Sequence, residues 1–461
     1  MARASLPAGK LSAARLGLMH LIGQCFCIGP LIDVALFLGI VASLAGAIGP
    51  LAVLLASLGM IAFSLVVAYY ASETGGAGAM GDYVARAWGK TAGLAALGVY
   101  VISLLFAGAA GFTIAVGDLA SRFAQLYFGV DFPWWAAALL VCTAAWWLNV
   151  RGASLATEVQ LFIVGVSVIP FLLTGAAAII HAGPANTWSV FSWNNPHGGD
   201  LFGALLFCIL LFGGFETAGS LAEESSNPRY AIPRALVTTV IAAAALLVFC
   251  SYAGTVYCGP DRVAKGWGDA IDGFAVMGGE LLGPWAALWI RLAVLVDFTA
   301  TCIGFTVAAL RGIYALARDG RLPSWLAATN RRGAPQNAAA VVLVVAVVVI
   351  AAGVLVPPSE RYQTLFVAAT AQALLLVLVY AALAIGALRL MRCNKGNQPW
   401  WRWIVFPLAT VVPGLALYGT FVPFPDYPER FGLYAGLLSL AVVCVWVAAT
   451  RNAPVNREVK S

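Results

Sequence analysis

Twelve long apolar stretches constrain the fold of this chain more than any other feature. Each is close to or above the length that a helix needs to cross a membrane core, about 20 residues for roughly 30 Å. Lipid offers the backbone no hydrogen-bond partners, so such stretches must be helical. We therefore predict an all-α membrane protein with twelve transmembrane helices. The predicted spans are 16–45, 46–71, 91–119, 132–150, 159–180, 201–221, 236–258, 281–317, 338–356, 362–388, 403–422 and 431–450.

The composition agrees with a membrane chain and argues against several functions. Of 461 residues, 62% are hydrophobic and 10% are charged, whereas soluble domains have about 25% charged residues. The net charge of +6 does not indicate nucleic acid, because the basic residues lie in loops between apolar stretches. The sequence has no phosphate-binding loop, no metal-ligand spacing and no arguable catalytic triad. We expect no cofactor, no metal and no enzymatic activity.

Lysine and arginine are distributed unevenly between the two sides of the predicted membrane protein. Twenty of the 26 fall on the side that holds both termini, five fall on the other side, and Arg291 lies inside the eighth stretch. Basic residues accumulate in cytoplasmic loops. We therefore expect a multi-pass protein of the plasma or inner membrane with both termini in the cytoplasm.

Two apolar stretches are interrupted at matching positions. Gly29-Pro30 falls about 13 residues into the first stretch, and Gly213-Gly214 falls about 12 residues into the sixth. Paired interruptions of this kind indicate inverted repeats with a ligand site near the membrane midplane, although a Gly-Gly helix contact or a proline kink would also fit. We predict one polytopic domain over residues 1–461, with repeats 16–181 and 201–392 (five helices each) and two further helices in 403–450.

The two interruptions supply the candidate binding residues. Free N–H groups at a broken helix can hold a carboxylate, and free carbonyl groups can hold an ammonium or another cation, which together suit an amino acid. Large apolar residues near the breaks are candidates for the wall of the site, with ordinary packing as the alternative. The predicted binding residues are Ile28, Gly29, Pro30, Leu31, Ile32, Asp33, Leu210, Gly213, Gly214, Phe215 and Glu216.

Four charged residues lie in the interior of predicted spans, namely Asp33, Glu216, Arg291 and Asp297, whereas Asp118 and Arg311 lie near the ends of the third and eighth spans. A charge at membrane depth is costly and usually faces a cavity or a partner. Asp33 and Glu216 are candidates to bind a substrate amine or to carry a proton, and structural hydrogen bonding is the alternative for both. Arg291 is expected near the outer interface. We expect Asp118, at the end of the third stretch, to be solvated.

Two motifs resemble the amino acid–polyamine–organocation transporter family. The first is FGGFETAGSLAEESSNPRYAIPRA at 212–235, which is similar to that family's sixth-helix signature. The second is LRGIYALARDGRLP at 310–323, followed by Ala-Pro at 334–335, which is similar to the exit of the eighth helix. A shorter match, LNVRG, lies at 148–152. With the twelve stretches, the resemblance covers nearly the whole chain.

The resemblance implies a leucine-transporter-like fold of five plus five helices, with a substrate between broken helices one and six and alternating access. The family's gating position on the sixth helix falls on Leu210, and its acid or amide falls on Glu216. The first-helix loop departs from the family pattern, because Gly29-Pro30-Leu31 replaces a G-S-G-like sequence. Proline removes one donor and the missing second glycine removes close backbone approach. The added Asp33 favours a cationic substrate.

Many proton-coupled or sodium-independent relatives have a lysine in the middle of the fifth helix, where this chain has Ser167. Hydroxyl groups on the fifth and eighth stretches leave a proton or sodium site open. The candidates for coupling are Asp33, Ser167, Glu216, Asp297, Thr299 and Thr301.

We predict a permease that moves amino acids or related amines by proton or ion symport, or by exchange. A polyamine or organocation transporter is one alternative. A nutrient sensor on the same fold is another, and the short predicted tails argue against it. The expected partners are the small-molecule substrate, H⁺ or Na⁺, and the lipid bilayer.

Overall fold

The computed structural model describes residues 11, 16–74, 78–268, 272–357, 361, 363–393 and 399–450. The two chain ends lie outside the described residues, at 1–10, 12–15 and 451–461. The cytoplasmic location of both termini therefore stays a prediction. Within these ranges the chain is helical and contains no strand. The helices are α1 Leu18–Cys25, α2 Pro30–Ile32, α3 Leu38–Ala45, α4 Gly49–Glu73, α5 Met80–Trp88, α6 Lys90–Leu104, α7 Phe112–Phe128, α8 Trp134–Arg151, α9 Ala153–Ala182, α10 Leu201–Leu210, α11 Pro228–Cys258, α12 Val263–Gly266, α13 Gly273–Leu282, α14 Pro284–Arg318, α15 Gln336–Val354, α16 Gln363–Cys393, α17 Arg402–Phe421 and α18 Glu429–Thr450.

Ten helical stretches in the described part of the chain are long and apolar enough to cross a membrane. The first predicted span adds an eleventh if its two halves, which are bent by 40°, count as one. Helix α8 is not among them, because its tryptophans and its polar last turn lower its mean hydropathy. A chain with many membrane-spanning helices is therefore established, while the number twelve and the inverted repeat stay predictions.

Several helices extend beyond the predicted apolar stretches. Helix α11 begins at Pro228, eight residues before the predicted span, because proline suits the first helical position. The third span runs continuously through a π-helical turn, Leu105–Gly111, and ends at Phe128. The polar link at 75–90 contains the amphipathic helix α5. These ends are polar, so hydropathy alone does not detect them.

Helix α14 lies at the centre of the bundle. It packs against α9, α13, α6 and α8, and it also contacts the interrupted parts of the first and sixth spans. Gly23 on α1 shows how closely the helices approach, since a Cβ atom there would lie 2.6 Å from the Thr157 carbonyl oxygen. Helix α14 therefore contacts both interrupted spans.

The loop before the sixth span pairs with the end of the first span. Gly199 N donates to the Ala45 carbonyl oxygen at 2.8 Å, and Asp200 N donates to the Leu44 carbonyl oxygen at 2.8 Å. Asp200 also caps α10, because its Oδ1 accepts from Gly203 N at 2.9 Å. The entry into α10 is thus fixed against the end of α3.

Candidate binding site between two broken helices

The first span is interrupted at Gly29, where the sequence predicts a break. Helix α1 continues through a 3-10 turn, Phe26–Ile28, and Gly29 follows with a φ of 73°. Glycine adopts this left-handed conformation without a steric penalty. Pro30 then begins α2, which continues through the π-helical turn Asp33–Phe37 into α3. The second half of the span thus has its own N-terminus inside the protein.

The carboxyl group of Asp297 on α14 binds the backbone donors at this N-terminus. Leu31 N and Ile32 N each donate to Asp297 Oδ2 at 3.1 Å. A carboxylate at a helix N-terminus gains from two charge-assisted hydrogen bonds and from the positive end of the helix dipole. The sequence predicts that these amides bind a ligand, whereas in the structure a side chain of the same chain occupies them.

Asp33 follows these amides directly and is also buried. The exposed fraction is 3% for Asp33 and 0% for Asp297. In the described part of the chain, Asp33 Oδ2 and Asp297 Oδ1 have no hydrogen-bond partner, and the two carboxyl groups are close enough to interact electrostatically. Asp33 also interacts with Cys208 on α10. The two acids therefore lie where the first, sixth and eighth spans meet.

The sixth span is interrupted between Leu210 and Phe215. Helix α10 ends at Leu210, and Gly214 adopts a φ of 114° before a 3-10 helix, Phe215–Glu224, begins. Glu216 Oε2 accepts from Gly214 N at 3.1 Å and from the Tyr380 hydroxyl at 2.6 Å. Glu216 therefore stabilises the break and joins it to α16.

The two interruptions contact each other directly. The Thr217 hydroxyl lies 3.1 Å from the Gln24 carbonyl oxygen and 2.7 Å from the Gly214 carbonyl oxygen. Gln24 Nε2 donates to the Gly304 carbonyl oxygen on α14 at 2.9 Å. Three spans are thus joined by polar contacts at the depth where helical hydrogen bonding is interrupted.

The remaining candidates for ion or proton coupling lie partly at this site and partly on the helices around it. Thr301 lies beside the first break, since a Cβ atom on Gly29 would be 3.2 Å from its hydroxyl oxygen. Ser167 is buried on α9, one of the helices packed on α14. Thr299 is half-buried and its hydroxyl donates to the Leu295 carbonyl oxygen of the same helix at 3.1 Å.

The predicted apolar wall residues have different surroundings. Phe215 is fully buried, with ring centroids 6.3 Å from Phe63 and 6.2 Å from Tyr380. Ile28 is buried, whereas Leu210 is 39% exposed. Phe215 therefore packs inside the bundle beside Glu216, and Leu210 lies at a more open position.

Three polar residues of this region are not among the residues predicted from the sequence. Tyr380 contacts Glu216, Gln24 contacts α14, and Gln160 Nε2 donates to the Ala300 carbonyl oxygen at 3.0 Å. The two glutamines could have been found, because a polar side chain inside an apolar stretch carries the same signal as an acid. Tyrosine gives no such signal.

Two ion pairs lie at the end of the bundle near the start of the first span. Arg311 Nε donates to Glu224 Oε1 at 2.6 Å, and both side chains are almost fully buried. Arg318 Nη1 pairs with Glu223 Oε1 at 2.8 Å. Leu16 N also donates to the Glu224 carbonyl oxygen at 3.0 Å. These contacts join the first, sixth and eighth spans on this side.

Asp82 on α5 lies next to the same cluster. Burial raises the pKa of Asp82 above its ordinary value, and Asp319 raises it further, while Arg318 opposes the shift. Asp82 lies outside the membrane-spanning helices. The charged groups of this cluster therefore change the pH at which its carboxyl group takes up a proton.

The opposite end of the bundle carries its own ion pairs. Arg291 Nε donates to Asp272 Oδ2 at 2.7 Å, consistent with a position near the interface. Asp118 is buried, 2.7 Å from Arg122 Nε and 3.6 Å from Arg361 Nη1. The prediction that Asp118 is solvated is wrong, because the two arginines cover it.

Among the described residues, no group of three or more His, Cys, Asp or Glu side chains could hold a metal ion.

Comparison with known sequences gives one family across almost the whole chain. Residues 21–447 match the family model described as amino acid permease. The branched-chain amino acid permease BcaP of Lactococcus lactis is 24% identical over 383 residues, covering 78% of this chain and 77% of the relative. The aromatic amino acid transport protein AroP of Escherichia coli is 25% identical, covering 68% and 69%. A probable polyamine transporter of Arabidopsis thaliana is 26% identical over 210 residues, covering 45% and 40%.

Comparison with solved structures supports the fold. A manganese transporter of Eremococcus coleocola, crystallised with an aromatic bis-isothiourea compound, matches with a TM-score of 0.56 and 12% identity. The match covers 97% of this chain and 99% of the transporter. At this identity the likeness shows the fold alone.

Proposed function

Since the chain belongs to the amino acid permease family, we propose that it is a secondary active transporter that moves amino acids or related amines by alternating access. The driving force is proton or ion symport, or substrate exchange. We place the protein in a plasma or inner membrane with cytoplasmic termini, on the basis of the excess of basic residues on that side. The substrate crosses without any chemical bond being made or broken.

The contact between two interrupted helices carries this proposal. The first span breaks at Gly29 and the sixth at Gly214, and Thr217 joins the two breaks through the Gln24 carbonyl oxygen. Transporters that bind at the membrane midplane use backbone groups freed in this way. Three buried acids, Asp33, Glu216 and Asp297, lie at or beside these breaks, and ionisable groups at this depth usually serve a pathway.

In this account the ion pairs near the start of the first span form the inner gate. Glu224–Arg311 and Glu223–Arg318 connect the end of the sixth span to α14. Their separation would let the first and sixth spans move away from α14 toward the cytoplasm. Glu216 and Tyr380 connect the sixth span to α16, which makes Glu216 a candidate for proton coupling.

Organic cations such as polyamines are the second candidate substrates. The observation that favours them is the buried pair Asp33 and Asp297, which has no positively charged partner among the ion pairs of the described residues. The similarity to a plant protein named as a probable polyamine transporter agrees with this alternative, over two fifths of that protein's length.

Uptake into proteoliposomes tests the proposal. The purified full chain is supplied with labelled amino acids and polyamines, with and without proton and sodium gradients, and with unlabelled substrate inside to detect exchange. We expect uptake of at least one amine to depend on a gradient or on internal substrate. Protein-free liposomes are the control, and background uptake of every compound under every condition would refute the proposal.

A further inference from the structure

The backbone donors at the first break are bound by a carboxyl group of the protein itself. A ligand carboxylate would use Leu31 N and Ile32 N at this helix end, yet Asp297 Oδ2 lies 3.1 Å from each. Because α14 holds Asp297 in place, its binding requires no loss of translational freedom. A carboxylate arriving with a ligand must displace a competitor that is permanently present.

The ion pairs of the described residues bring no positive charge to the same position. Among these described residues, Asp33 Oδ2 and Asp297 Oδ1 also have no hydrogen-bond partner, although the two residues are 3% and 0% exposed. Buried carboxyl oxygens without donors are unfavourable. An ammonium group has three N–H donors and no acceptor, so it could supply the donors that these oxygens lack.

From these two observations we propose that Asp297 replaces the substrate carboxylate, so that the transported compound is an amine without a carboxylate. This inference rests on the proposed transport function and narrows its substrate class. The ammonium binds between Asp33 and Asp297. Primary amines and diamines of the kind produced by decarboxylation of amino acids have this chemistry.

An amino acid fits this arrangement less well because of its second charged group. Its carboxylate would lie near Asp33 and Asp297 without free backbone donors. Two like charges about 4 Å apart repel appreciably even at protein surfaces. We therefore expect each amine to bind about 100-fold more tightly than the amino acid from which decarboxylation would form it.

Matched pairs of compounds test the inference on the unmodified protein. The pairs are putrescine with ornithine, cadaverine with lysine, and isoamylamine with leucine. Affinity is measured by thermal stabilisation of the full chain in nanodiscs, and uptake is measured with the same labelled compounds in proteoliposomes. Tighter binding and faster uptake of each amine is the expected result.

The outcomes separate this inference from the proposed function. Uptake of amino acids with equal or weaker binding of their amines would overturn the inference and leave the transport function standing. Uptake of neither class would overturn both. Because the comparison uses the unmodified chain, it does not depend on whether any variant folds.

Two substitutions at Asp297 test the role of its carboxylate. Asp297→Ala frees the amides of Leu31 and Ile32, so we expect amine affinity to fall and amino-acid affinity to rise. Asp297→Asn retains an acceptor for these amides but removes the charge, so amine affinity should fall without a gain for amino acids. Asp426→Asn, at an exposed carboxyl group, is the matched control. An unchanged preference in both Asp297 variants would overturn the assigned role.

Discussion

Removing one partner of the buried Glu224–Arg311 pair should destabilise the protein strongly. Arg311 Nε lies 2.6 Å from Glu224 Oε1, and the two side chains are 1% and 2% exposed. Arg311→Met leaves the Glu224 carboxylate buried without its counter-charge. Breaking a buried pair in this way costs about 3–5 kcal/mol.

A neighbouring pair provides the control for this experiment. Arg318 and Glu223 are 2.8 Å apart, but their side chains are 28% and 25% exposed. Water screens such a pair, and Arg318→Met should cost about 1 kcal/mol or less. The comparison therefore separates the effect of burial from the loss of an arginine on the same helix.

The free energy of unfolding is measured by denaturant titration of the purified protein in mixed micelles, followed by tryptophan fluorescence. The single variant Glu224→Gln and the double variant Arg311→Met/Glu224→Gln complete the cycle, and we expect the double variant to recover much of the stability lost by Arg311→Met. Equal losses for Arg311→Met and Arg318→Met would refute the expected effect of burial. A double variant whose loss is the sum of the losses of Arg311→Met and Glu224→Gln would refute it as well.

Three further predictions concern Glu216, Asp82 and Asp33. Tyr380→Phe removes a hydroxyl group that donates to Glu216. It should lower the free energy of unfolding by about 1.5–3 kcal/mol and change the pH profile of transport. The control Tyr434→Phe, at an exposed ring, should change neither quantity. The pKa of Asp82 is raised in the folded state, so the folded protein binds the proton more tightly, and stability should fall as pH rises from about 4 through the folded pKa. Asp82→Asn should therefore raise the melting temperature at pH 7 and not below pH 4. A larger rise of the melting temperature at low pH than at pH 7 would contradict this expected pH dependence. Asp33→Asn should weaken uptake of cationic compounds selectively, whereas an equal loss for neutral amino acids would argue against an amine contact.

The sequence predicts the two interruptions because backbone chemistry is local. Gly29 can adopt a left-handed conformation without a steric penalty, and Pro30 suits the first position of a helix. The same holds for Gly214 in the sixth span. The prediction of an all-α membrane protein also follows from hydropathy alone. These parts of the fold depend on residues that are adjacent in the chain.

The partners of the buried groups could not be predicted in the same way. Asp297 is 266 residues from Leu31, and Tyr380 is 164 residues from Glu216. Hydropathy and spacing locate a charged residue at membrane depth, but they do not show which distant group faces it. The occupation of the first-break amides by Asp297 is therefore a finding of the tertiary structure, and it alters what this end of the site can bind.

The most direct test of the central claim is a cryo-EM structure of the full chain in a lipid nanodisc with a compound that it transports. We expect ligand density between residues 28–33 and 210–216, with the amine nitrogen within hydrogen-bond distance of Asp33 or Asp297. Density at another position, with both interruptions unchanged and unoccupied, would contradict the account.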